Sequence, residues 1–176
     1  MYGRPGRPLL FLDVDGTLIP TAGVRMPSRL GDWNTSWQTP SNPHLTGIAA
    51  SHGARLLQMD CEIVWASAWM HDADKVIAPI LGLPQLPVAE LGDLPPADGP
   101  TWTEEDPSAG LNWKTRALVR LAADRPFAWV DDELTDVDRA WVSANHSAPA
   151  LLRRVDSRCG LTATDMAALE DWLSSL

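Results

Sequence analysis

The residues best suited to chemistry are acidic. Asp13 and Asp15 stand two apart in the run Pro8-Leu9-Leu10-Phe11-Leu12-Asp13-Val14-Asp15-Gly16-Thr17-Leu18. Four apolar residues lead directly into this pair, so the pattern predicts a strand buried on both faces that delivers two carboxylates into a Gly-containing turn. Unpaired charge at the lip of an apolar strand is costly to desolvate. A cation is the simplest partner, and carboxylates around a turn suit the hard, oxygen-preferring Mg2+. A second acidic run, Asp131-Asp132-Glu133, follows another apolar stretch, Phe127-Ala128-Trp129-Val130, with Asp136 close behind. Ser67 ends a third such stretch, Cys61 to Ala66.

These groups must be positioned by alternating strands and helices. Apolar spacing predicts helices over 45–57, 71–81 (bent or shortened by Pro79), from Asn112 through Lys114, Leu118, Val119 and Leu121, over 136–145, and from Thr162 or Thr164 onward. Asn112 offers the N-cap of the third of these. Val137, Ala140 and Trp141 are candidate packing residues of the fourth, and Met166, Leu169, Trp172 and Leu173 of the last. Between them lie the strands already noted, a short one at 86–91 and a last one at 149–155. Alternation of this kind predicts a mostly parallel sheet covered on both faces. Ligands of such sheets bind beyond the carboxyl ends of the strands, where Asp13, Ser67 and Asp132 are expected to meet.

Two intervals break the alternation. Residues 20–44 are rich in Pro, Ser, Thr and Asn and carry Trp33 and Trp37; residues 92–112 are rich in Pro and Gly. Long loops in small domains are more often functional than idle, and the first leaves the strand end that holds Asp13 and Asp15, so it reads as a flap over the site. Trp33, Trp37, Trp69, Trp102 and Trp113 are candidates for stacking on a substrate, although tryptophan more often packs its large apolar surface.

Composition narrows the classes. The 176 residues carry 14 Lys plus Arg against 23 Asp plus Glu, a formal charge of -9. That excludes a broad nucleic-acid or anionic-membrane surface but leaves room for a local basic pocket around one phosphate. Cys61 and Cys159 have no Cys-x-x-Cys spacing and read as thiols rather than zinc ligands, with a disulfide the lesser alternative. His44, His52, His71 and His146 form no short ligand cluster, and His52 reads as a core or boundary residue. With no membrane-length apolar run and no room for a signal peptide before the first strand, a single cytoplasmic domain over 1–176 is expected.

The constellation resembles the haloacid dehalogenase (HAD) superfamily, whose members are mainly Mg2+-dependent phosphohydrolases. Asp13-Val14-Asp15-Gly16-Thr17-Leu18 resembles its first motif, Trp65-Ala66-Ser67 its second, Lys114 the basic residue of its third, and Asp131-Asp132 with Asp136 its fourth. The resemblance implies a Rossmann-like three-layer α/β sandwich with a five-stranded sheet of order 3-2-1-4-5 and a minimal cap. It implies catalytic roles for Asp13 (nucleophile), Asp15 (acid/base), Ser67 and Lys114 (phosphoryl binding). Mg2+ would be held by Asp13, Asp15 through its backbone carbonyl, and Asp132, with Asp131 and Asp136 in support. The implied activity is phosphomonoester hydrolysis through an aspartyl phosphate on a small phosphorylated substrate. A nucleic-acid end phosphatase, a phosphotransferase and a non-catalytic phosphate-sensing domain are the alternatives. A phosphoacceptor receiver domain is disfavoured because the Asp-x-Asp pair comes on the first strand and the second acidic pair much later.

Overall fold

Leu9–Leu12 form β1, a strand in which all four side chains are buried. A strand without a solvent face needs a neighbour on each edge and a layer over each side. In the computed structural model, which describes residues 6–21, 37–92 and 110–176, it has both. β2 (Glu62–Trp65) and β3 (Phe127–Asp131) flank it in parallel, with Leu12 opposite Trp65 on one edge and Val130 on the other. β4 (Ala150–Arg154) pairs parallel to β3 and sets Arg154 opposite Asp131.

The helices divide between the two faces. They are α1 (Ser51–Gln58), a π-helical turn (Ala73–Ile77) that runs into α2 (Ala78–Leu81), α3 (Thr115–Ala122), α4 (Asp136–Asn145) and α5 (Ala163–Ser174). Leu10, Leu12, Ile63, Trp65, Ala128 and Val130 point to one side and pack with Leu56 of α1, Leu81 of α2, and Met166 and Leu169 of α5. Leu9, Phe11, Val64, Phe127 and Trp129 point to the other, against Leu118 and Ala122 of α3 and Val142 of α4. Period-two alternation along parallel strands thus builds two apolar layers around one sheet.

Among the described residues the sheet has four strands, in order β2-β1-β3-β4, and not the five expected from the sequence. The segment at 86–91 does lie beside β2, where the missing strand was expected, but forms only a single bridge, Val88 to Trp65. Pro87 explains this: its carbonyl accepts from the Trp65 amide at 2.9 Å, yet it has no N–H to extend a ladder.

Local signals set most helix boundaries. Capping boxes at Thr135/Asp138 and Thr162/Asp165 start α4 and α5. The helix expected at 45–57 is split, because Pro43–Gly47 is a 3-10 turn and α1 begins only at Ser51. The helix expected at 71–81 opens as the π-helical turn, in which the Ala78 amide reaches back to the Ala73 carbonyl, and Pro79 follows directly in the first turn of α2. Among the described residues no helix is long and apolar enough to cross a membrane. Cys61 is buried, Cys159 is exposed, and neither is in a disulfide. Burial pushes the Cys61 thiol up to about 12. Of the two long intervals, residues 22–36 and 93–109 lie outside the described residues, and with them most of the expected flap, Trp33 and Trp102.

Candidate active site

β1 hands directly into the acidic turn. The Asp13 amide still bonds the Val130 carbonyl at 3.1 Å, so Asp13 keeps its place beside β3 after the strand ends. The chain then folds back, with the Leu18 and Ile19 amides both on the Val14 carbonyl. Gly16 sits in this turn with φ of +71°, and a Cβ there would come within 2.3 Å of Asp132 Oδ2. A side chain is therefore excluded twice, by backbone conformation and by the Asp132 carboxylate lying against the turn.

One ammonium joins the tips of β1 and β3. Lys114 Nζ donates to Asp13 Oδ1 and to Asp131 Oδ2, each at 2.7 Å, and all three side chains are buried. Thr17 Oγ1 donates to the other Asp13 oxygen at 3.2 Å. The Asp131 carboxylate also accepts from the Trp129 indole at 3.2 Å and from the Glu133 amide at 2.9 Å. Carboxylate oxygens of Asp13, Asp131 and Asp132 lie within 4.8 Å of one another. Three hard oxygen donors this close form a cluster capable of coordinating a divalent metal ion.

The lysine is aimed by a network that begins on another helix. Asn112 Oδ1 accepts from the Lys114 amide at 3.0 Å. Buried Asp138, on α4, accepts from the Asn112 amide at 2.8 Å and from Thr115 Oγ1 at 2.6 Å through one oxygen. Its second oxygen takes the Thr135 amide and hydroxyl at 2.9 and 2.8 Å. The start of α3 and the start of α4 are thereby fixed to each other, and Lys114 is held where it enters the site.

Asp15 is held quite differently. Its carboxylate accepts the Trp37 indole N–H at 2.7 Å and the Trp69 indole N–H at 2.9 and 3.0 Å. Asn42 Nδ2 on the Trp37 carbonyl and Gln38 Nε2 on the Ala68 carbonyl fasten the two tryptophan-bearing segments in place. Ser67 is buried just past β2, one residue beyond the Ala66 amide that bonds the Leu12 carbonyl. Its hydroxyl accepts from the Trp69 amide at 3.3 Å.

Burial dominates the electrostatics. It drives the Asp13 carboxyl well above the usual carboxylate range against the opposing pull of Lys114, while Asp131 and Asp15 push it further up. Asp15 is raised by burial to about 6, with both indole donors drawing it down. Burial, then Asp131 and Glu133, raise Asp132 to about 7. Burial alone would lower the Lys114 value, but the charges of Asp13 and Asp131 outweigh it and keep the ammonium protonated. Too many negative groups share one ammonium here, a shortage that a second cation would relieve.

Of the residues singled out from the sequence, the structure gathers Asp13, Asp131, Asp132 and Lys114 in one cluster, with Asp15 in the same turn and Ser67 at the adjacent strand end. Asp136 stands apart, fully exposed on the first turn of α4 and 3.6 Å from Arg139. Three contributors went unrecognised in the sequence. Thr17 lies in the first motif with a hydroxyl suited to the aspartate four residues earlier. Trp37 and Trp69 were read as packing or stacking residues, yet they are the hydrogen-bond donors to Asp15.

Comparison with known proteins agrees with this geometry. Residues 9–166 match the family described as "HAD domain in Swiss Army Knife RNA repair proteins". No curated protein and no solved structure matches the chain. The match spans most of the chain and takes in every strand and every cluster residue, so the chain belongs to the HAD superfamily and is a hydrolase domain of that type.

Proposed function

We propose that the domain hydrolyses phosphomonoesters in the presence of Mg2+ through an aspartyl phosphate on Asp13. The observation that carries this reading is the Lys114 ammonium placed 2.7 Å from both Asp13 and Asp131, with Asp132 in the same cluster. Phosphoryl transfer is mainly a matter of positioning and of neutralising equatorial oxygens, and this cluster supplies both. Mg2+ held by the Asp13 and Asp132 carboxylates and the Asp15 backbone carbonyl, with Asp131 alongside, would offset the repulsion between carboxylate and phosphate.

The chain's own groups then divide the work. Asp13 attacks phosphorus; an Asp13 O–P bond forms as the bond to the leaving oxygen breaks, and the Asp15 carboxyl gives that oxygen its proton. Water next attacks the aspartyl phosphate, Asp15 takes the water's proton, and inorganic phosphate leaves with Asp13 restored. Ser67 and Lys114 hold phosphoryl oxygens through both steps. A value of about 6 at Asp15 suits a group that must give and then take a proton near neutrality. The test is phosphate release from a panel that includes p-nitrophenyl phosphate, with Mg2+ and with chelator. Release that needs Mg2+ and disappears in Asp13→Asn is expected, and full turnover by D13N would sink the reading.

The substrate is read in two ways. A HAD-type site with this acidic cluster suits a small phosphomonoester. The RNA-repair description of the matching family favours a second reading, removal of a terminal phosphate from an RNA end. Turnover of phosphorylated oligonucleotides well above that of small esters would decide for it.

A further inference from the structure

The two sides of the site differ in charge. On the Ser67 side, the residues that follow β2 include Asp72, Asp74 and Lys75, and Lys75 is already paired to Asp72 at 2.9 Å. On the β4 side, a cleft of about 410 Å³ opens next to Asp132 and is lined by Arg154, Val155, Asp156, Ser157 and Arg158. With Asp132 also in the lining, two guanidiniums stand against two carboxylates, a higher share of positive charge than in the chain as a whole, whose formal charge is -9.

The cleft is fixed to the catalytic turn. Arg154 lies opposite Asp131 in the β3–β4 register, about one strand spacing away, and its Nε donates to the Asp132 carbonyl at 3.1 Å. Arg158 is held by Asp156 at 2.7 Å, which pulls that carboxyl down to about 2. The loop that follows β4 and carries Arg158 docks on the segment after Asp15. The Leu161 amide bonds the Thr17 carbonyl at 2.7 Å, and the Thr21 amide bonds the Ser157 carbonyl at 2.8 Å. Gly160, with φ of +69°, permits this approach, since a Cβ there would lie 2.9 Å from the Thr17 carbonyl oxygen. The distance from the arginines to the reacting centre is thus set by backbone hydrogen bonds.

We propose that this cleft binds a second phosphate of the substrate, the phosphodiester next to the terminal monoester that Asp13 attacks. The inference rests on the phosphomonoesterase reading and narrows its substrate class to oligonucleotide ends. Guanidinium is the side chain best matched to a phosphodiester, because its planar fork bonds two oxygens at once. Arg154 is the principal contact, since its side-chain hydrogen bond goes to a backbone carbonyl and it forms no close ion pair among the described residues, acting on Asp156 through its field alone. Arg158 adds positive field from its Asp156-braced position. Two guanidiniums in one cleft are a local device, so they give a preference for an adjoining phosphate without needing a broad basic surface.

The test compares kcat/KM with Mg2+ for a mononucleotide and for the matching dinucleotide with the same terminal phosphate, in 5′- and 3′-phosphorylated series. Wild type should favour the dinucleotide by roughly tenfold, the worth of a charge-assisted contact. Arg154→Ala should bring the dinucleotide-to-mononucleotide ratio close to one, mainly through KM, and Arg158→Ala should lower it part-way. The salt dependence of the dinucleotide KM should flatten by about 0.7 in log-log slope for a lost contact. A wild-type ratio of one, or a ratio unchanged in both variants, overturns the proposal. A nucleoside bisphosphate that matches the dinucleotide in kcat/KM also overturns it, since the cleft would then select a small diphosphorylated compound. If no substrate is turned over, the phosphomonoesterase reading fails separately. Binding of the phosphorylated dinucleotide to wild type and R154A, followed by tryptophan fluorescence, then decides: loss of affinity in R154A upholds the cleft and equal affinity removes it.

Discussion

Asp13 and Asp15 leave the same strand two residues apart and are both hidden from solvent, yet they are held by opposite kinds of partner. Asp13 meets a full positive charge at 2.7 Å, whereas Asp15 meets only neutral indole N–H groups at 2.7 to 3.0 Å. The ammonium pulls against the burial that drives the Asp13 carboxyl well above its usual range, a pull that a divalent cation would complete, whereas neutral donors leave Asp15 at about 6, able to exchange its proton. The difference teaches that one turn can supply two carboxylates with distinct chemistry because their surroundings, and not their covalent structure, differ.

The sharpest break of the comparison replaces each aspartate in turn. Asp13→Asn should lower phosphate release by a thousandfold or more for every substrate, because no group remains to attack phosphorus. Asp15→Asn should spare substrates whose leaving group needs no proton. Its loss should be far greater for alkyl phosphates than for aryl phosphates in a single-turnover assay of the first step. Equal losses across leaving groups in D15N would remove the distinction between the two positions.

Removing the cation is the next largest change. Lys114→Met leaves Asp13 and Asp131 buried without their shared ammonium, and breaking such a pair costs about 3 to 5 kcal/mol. Urea unfolding of metal-free protein near pH 7 should show that loss, with part of it recovered in Mg2+.

Both sides of the comparison respond to pH. Folding raises Asp15 from 3.8 to about 6 and Asp132 from 3.8 to about 7. For a raised carboxyl, the stabilising contribution is fully present below the unfolded value and is lost as pH climbs through the folded one. Metal-free protein should therefore lose stability between about pH 4 and pH 7, with Asp15 alone accounting for about 3 kcal/mol. A divalent ion needs the Asp13 and Asp132 carboxylates ionised, so the rise in Tm on adding Mg2+ should be greater at pH 8 than at pH 5.5. A Tm of the metal-free protein that stays flat over this range would show that the acids are not desolvated as described.

What the sequence disclosed follows from how local each feature is. The buried run Leu9–Leu12 and the helix over 136–145 are each written within a few residues, and both appear where expected. The strand at 86–91 failed because its apolar content concealed the effect of Pro87 on the ladder. On α4 the expected inward face was right only for Trp141, which packs against the core: Val137 and Ala140 are exposed, and Val142 is buried instead. Asp138 lies four residues before Val142 and turns inward to hold Asn112 and Thr115, so the buried stripe carries a carboxylate and an apolar count selects the wrong side. The indole donors were least legible, because Trp37 and Trp69 reach Asp15 across 22 and 54 residues of chain.

Those indoles also give the finest test of the contrast. Trp→Phe at position 37 or 69 keeps an aromatic ring and removes only the N–H, so Asp15 loses one donor while Lys114 and Asp13 keep all of theirs. A hydrogen bond to a charged group carries about 1.5 kcal/mol or more, so a misdirected Asp15 should slow hydrolysis of alkyl phosphates roughly tenfold. Activated aryl phosphates, which leave without a proton, should change by less than about twofold. Trp69→Phe should exceed Trp37→Phe, since the Trp69 indole lies within hydrogen-bonding distance of both carboxylate oxygens and the Trp37 indole of only one. A uniform loss across leaving groups would instead make the tryptophans ordinary packing, and Asp15 would have to find its direction from the turn alone.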